Sequence, residues 1–197
     1  MMENELFKDR GHANEAAYFR QQDAKLIETL REKAPLDQIA AALGEKLQVE
    51  NPDLLERVRK LGLTVDTAPA LFLTPLVQVA WVDGSVSNQE YEAVLRLAQN
   101  RGVEPDSAVA GQLVSWLQER PSDAVFDAGL EVIKYGFAVL PEDERDDRIK
   151  RVVEACNEVA SASGGGLAKV LGLGSSVSSI EASMLDTING MLRSSAA

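Results

Sequence analysis

Residues 79–95 read VAWVDGSVSNQEYEAVL. An apolar run ends at Asp83-Gly84, Ser87 follows three positions later, and Glu90 stands three positions beyond that. Ser-x-x-Glu is the spacing of a capping box. In it the Ser oxygen accepts from the amide of the third helical residue, while the Glu reaches back to the amide of the cap. Val86 occupies the place of a hydrophobic staple. Val86, Tyr91, Val94, Leu95 and Ala98 then trace one helical face. Gly84 supplies the positive φ that a turn between two helices needs. The stretch is therefore a connector, and the chain on both sides of it should be helical.

A second unit of the same kind lies downstream. Ser178 is followed by Glu181 in SSIE, Val177 precedes it, and Met184, Leu185, Ile188 and Leu192 form the next apolar face. A glycine-rich segment, 164–176, stands before this second box where the first has only Gly84. Two helix-turn-helix pairs of one pattern make a quasi-repeat.

Working outward, nearly every segment carries helix punctuation and none alternates as a strand would. Residues 4–33 space Leu6, Phe7, Tyr18, Phe19, Leu26, Ile27 and Leu30 among charges, which predicts one long amphipathic helix. Pro35 ends it, and LDQIAAALGEKL makes a short second helix. In NPDLLERVRKLG, Asn51 is the N-cap, Pro52 the first helical residue and Gly62 the left-handed stop. The stretch LTVDTAPALFLTPLVQVAWV is apolar on almost all sides and predicts a central buried helix, kinked or split at Pro75 with Thr74 as cap. Further helices are expected over 87–100, 106–119, 122–140, 142–162 and 178–192. The expectation is an all-α bundle of about nine helices: an N-terminal arm 1–33, a short helical pair 34–63, the main domain 64–192, and a disordered tail 193–197.

Bulk chemistry excludes several classes. The chain of 197 residues carries 31 acidic and 20 basic side chains, a formal charge of −11. That balance argues against nucleic acid and anionic membrane surfaces, whose binding needs clustered Lys and Arg. The longest apolar-rich stretch, 68–82, is interrupted by Pro75 and Gln78 and falls short of a membrane span. The opening MMENELFKDR lacks the apolar core of a secretory signal, so a cytoplasmic location is expected. A nucleophilic Cys156 would want an imidazole partner, and the one histidine, His12, lies in a polar N-terminal segment, which argues against Cys-His and Ser-His-Asp catalysis. Cys156 lies on the helical face of Val152, Val153 and Val159, as a small buried hydrophobe would.

Two ligand chemistries have candidate residues in the sequence. A calcium loop wants several alternating oxygens before its glycine, and here only Asp83 precedes Gly84. Asp83 and Glu90 are the candidate cation ligands, with the acidic helix start 142–147 as an auxiliary surface. A carboxylate-only enzyme using Asp66 and Glu90 is the least supported reading, because helical spacing does not bring that pair together. Segment 164–176 fits neither nucleotide-binding glycine fingerprint.

The segments LVQVAWVDGSVSNQEYEAVL (76–95) and ASGGGLAKVLGLGSSVSSIEASMLDTI (162–188) together resemble the TerB-like family, which covers tellurite-resistance TerB and the N-terminal domain of the co-chaperone DjlA. The shared pattern is A-x-x-D-G followed by V-S-x-x-E, and the likeness extends over about 64–192. Asp83, Gly84, Ser87 and Glu90 occupy the motif positions, while the second unit has Ser163 where the first has Asp83. The resemblance implies a compact all-helical bacterial protein with an acidic surface. It also implies roles in stress response, metal sensing or scaffolding of protein partners, and it brings no catalytic residue. A shorter likeness lies in FKDRGHANEAAYF (7–19), which is similar to the opening of the inhibitory zeta subunit of α-proteobacterial ATP synthases. It implies that Phe7, Arg10, Tyr18 and Phe19 engage a protein partner, with peripheral association with a membrane complex as one form of that engagement. The functional expectation is a non-enzymatic interaction module without a bound cofactor, with divalent-cation sensing at Asp83 and Glu90 as the alternative.

Overall fold

A computed structural model describes residues 51–138, 140–163 and 179–194. All of them lie within residues 35–197, one of two units into which the chain divides. Among the described residues there are seven α-helices, one 3-10 helix and no strand. The helices are α1 (Pro52–Lys60), the 3-10 helix (Ala68–Leu73), α2 (Thr74–Ala80), α3 (Asn88–Asn100), α4 (Ala108–Gln118), α5 (Asp123–Ala138), α6 (Glu142–Ser163) and α7 (Ser179–Arg193). The expected N-terminal helix and the short helix after Pro35 lie outside the described residues.

Local chemistry fixes the helix starts. Asn51 Oδ1 accepts from the Leu54 amide at 2.9 Å, with Pro52 where no donor is needed, and Gly62 at φ 79° ends that stretch. Ser107 Oγ accepts from the Ala110 amide at 3.2 Å to open α4. Glu142, Asp143 and Glu144 fill the first turn of α6, facing the positive end of its dipole. Arg145 then reaches back across the join. Its Nε donates to Phe137 O at 3.2 Å and its Nη2 to Leu140 O at 3.2 Å, so the C-terminal end of α5 is capped by a cation.

Packing makes α2 the axis of the bundle. It lies against α3, α4, α5, α6 and α7, and Leu76, Val77, Val79 and Ala80 are all buried. Of the two forms expected for the central segment, kinked or split, the split is the one found: a 3-10 helix runs to Leu73 and an α-helix begins at Thr74. Pro75 has no amide to give Leu71 O, and an α-helical continuation would press its ring on that carbonyl. Leu71 O is served instead by the Thr74 amide and, at 2.8 Å, by the Thr74 hydroxyl. Thr74 is thus a donor to the preceding turn, and Leu73 holds the cap position with no side-chain bond.

Helix α5 crosses this join closely. A Cβ placed on Gly129 would overlap Thr74 Oγ1 and lie 2.9 Å from Leu71 O, so the crossing needs a residue without a side chain. On its other side α5 receives α1, through Asn51 Nδ2 donating to Tyr135 Oη at 2.6 Å and an Arg57–Glu131 ion pair at 2.8 Å. The seam between α2 and α4 is pinned by the Trp81 indole N–H, which donates to Trp116 O at 2.8 Å. Trp116 is buried and Trp81 half-buried.

Candidate functional site

The turn from Trp81 to Ser87 and the first turn of α3 hold the motif residues. Glu90 Oε2 accepts from the Ser87 amide at 2.8 Å, and Ser87 Oγ accepts from the Glu90 amide at 3.2 Å, so both halves of the capping box are formed. Asp83 Oδ1 accepts from the Ser85 amide at 3.1 Å, a local turn that mimics backbone pairing. Gly84 has φ 93°, in the left-handed region. The two candidate cation ligands therefore each hold a backbone amide.

Burial separates the two acids. Asp83 is exposed, whereas Glu90 is 2% exposed and packs among the residues that begin α3. Desolvation is the largest influence on the Glu90 carboxyl and pushes its pKa above the ordinary 4.5. Bonds from the Ser87 backbone and hydroxyl pull the other way, and the negative charges of Asp83 and Glu181 add to the rise. Glu181, at the start of α7, is itself 6% exposed. The acids of the two S-x-x-E units thus come within electrostatic reach of each other at one end of the bundle, a juxtaposition the sequence does not announce.

Among the described residues no group of three or more His, Cys, Asp or Glu side chains is placed to hold a metal ion. Ser178, expected to cap α7, lies outside the described residues, as do Phe7, Arg10, Tyr18, Phe19 and the glycine-rich 164–176. Cys156 is fully buried, and burial raises its thiol to about 12, with the nearby Arg101 opposing the rise. Such a thiol is a packing residue rather than a nucleophile. No described helix is long and apolar enough to cross a membrane.

No family model, curated protein or solved structure matches the chain.

Proposed function

We propose that this protein is a non-enzymatic, TerB-like interaction module acting in stress response. The observation that carries the reading is the closed capping box at the D-G turn. Every motif residue with a polar side chain is engaged by a backbone amide, so the motif serves to join two helices. A motif spent on architecture leaves function to surfaces, and the strongly acidic composition suits a basic protein partner. The decisive test is survival of a deletion strain under tellurite and oxidants, restored by the intact chain and by a chain lacking residues 1–33. Unchanged survival on deletion removes the stress role. Equal rescue by both chains removes the docking role of the N-terminal helix.

A second reading is divalent-cation sensing at Asp83 and Glu90, whose negative charges act on each other at the D-G turn. Calorimetry with Ca²⁺, Mg²⁺, Mn²⁺ and Zn²⁺ tests it. Absence of both heat and thermal shift in the millimolar range would eliminate it.

A further inference from the structure

The chain contains one Asp-Gly step, Asp83-Gly84, and one Asn-Gly step, Asn189-Gly190. Both dipeptides can rearrange without an enzyme, because a glycine leaves its amide nitrogen open to the preceding side chain. We propose that Asp83-Gly84 is a site of spontaneous backbone isomerisation in the folded protein, and that α7 shelters Asn189-Gly190 from the same chemistry. The inference is independent of the interaction-module reading, since it concerns a covalent change at the turn rather than what the surface binds.

The reaction balances within the chain and water. The Gly84 nitrogen attacks Cγ of Asp83 and gives up its proton. A Cγ–O bond breaks, water leaves, and a cyclic imide joins the two residues. Water then reopens the ring. Addition at Cγ restores the aspartate, whereas addition at the main-chain carbonyl breaks that carbon's bond to the Gly84 nitrogen. The second product runs the chain through Cγ and frees the former main-chain carbonyl as a carboxylate. Its mass is unchanged, and the turn has gained one main-chain carbon.

The turn provides the conditions for the first step. Asp83, Gly84 and Ser85 are exposed, and none of them lies in a helix. Asp83 Oδ1 accepts from the Ser85 amide at 3.1 Å, so the carboxyl is folded forward along the chain, past the Gly84 nitrogen. Beyond its chain neighbours, no atom lies within 4 Å of where a Gly84 Cβ would stand. The Gly84 amide has a turn bond to release, to Trp81 O at 3.0 Å, and no helical ladder holds it.

Asn189-Gly190 is placed the other way. It lies inside α7, where Cα–Cβ bonds tilt toward the helix N-terminus and carry Asn189 Cγ back from the amide that follows. Asn189 Oδ1 accepts from Arg193 Nε at 3.0 Å, and Arg193 Nη1 meets Asp146 Oδ1 on α6 at 2.8 Å. The flanking Ile188 and Leu192 are buried. Cyclisation there requires unwinding the end of α7 and drawing both side chains from the core. An amide is intrinsically a better electrophile than an ionised carboxylate. The fold therefore reverses the order in which the two dipeptides would react in an unfolded chain.

The experiment ages the full chain in warm, mildly acidic buffer, beside a sample held unfolded in guanidinium chloride. Peptide mapping with electron-transfer fragmentation tells a β-linked residue from aspartate, and deamidation is read as the exchange of NH2 for OH. In the folded sample β-linkage should accumulate at Asp83 while Asn189 keeps its amide. In the unfolded sample Asn189 should react first. Labelling by a β-aspartyl methyltransferase should rise with age at the Asp83 peptide and be lost in Asp83→Glu, whose imide ring would be larger. The proposal is overturned if Asp83 stays unrearranged in the folded sample, or if Asn189 deamidates ahead of it there. Equal deamidation of Asn189 in the two samples, or labelling retained in Asp83→Glu, overturns it as well. Should Asp83→Glu not fold, the wild-type maps decide alone.

Discussion

Thr74 and Glu90 are both buried polar residues, at 0% and 2% exposure, and the surrounding chain treats them differently. Thr74 is neutral and donates to a carbonyl three residues back that Pro75 cannot serve. Its bond is independent of pH, and Gly129 lets α5 close over it. Glu90 also satisfies a local backbone group, yet it does so with a group that water would rather keep, beside two more acids. One end of the α2–α3 hairpin is locked by shape. The other is held by a carboxyl group's bond to the Ser87 amide, with burial working against its charge. Buried polarity thus serves a close helix crossing in one place and a helix start in the other.

The sharpest way to break that contrast is Gly129→Ala. In an ordinary helix this change stabilises, but here the new methyl must displace Thr74 Oγ1 and crowd Leu71 O. A loss of about 2–3 kcal/mol is expected from urea unfolding. Gly111→Ala in α4, where nothing lies within 4 Å of the added carbon, should instead gain about 0.5–1 kcal/mol. Equal effects at the two glycines would show that the α5 crossing is not tight.

Ser87→Ala probes the other end. It removes the acceptor for the Glu90 amide while leaving Glu90 on the Ser87 amide, and should lose about 1 kcal/mol. A loss below a few tenths would mean that the box contributes little and that Glu90 alone orders the turn. The smallest effect is expected at the α6–α7 rim, where Arg193 meets Asp146 at 2.8 Å with both side chains about half exposed. Asp146→Asn should change the unfolding free energy by less than about 0.5 kcal/mol and less still in high salt.

Local signals explain why so many boundaries were legible. Asn51-Pro52, Ser87 with Glu90, and Pro141 ahead of three acids each act within one turn of chain, and the helices begin at those places. The break at Pro75 could be anticipated as well, but its form could not. Whether Leu71 O is left empty, hydrated or taken by Thr74 depends on α5 arriving over it, and Gly129 lies 55 positions from Thr74 in the chain. The same holds at the candidate site. The chemistry of each S-x-x-E unit is local and readable, whereas the approach of Glu181 to Glu90 is tertiary. Arg145 was hidden for a related reason: inside an acidic run it reads as one more surface charge, yet it caps the end of the preceding helix.

The indole bond between Trp81 and Trp116 has an optical consequence. These are the only two tryptophans of the chain, and both report on one seam. Selective excitation of indole therefore turns emission into a local gauge of whether α4 remains docked on the end of α2. A fluorescence transition that precedes the loss of helical circular dichroism would identify that seam as the first to open.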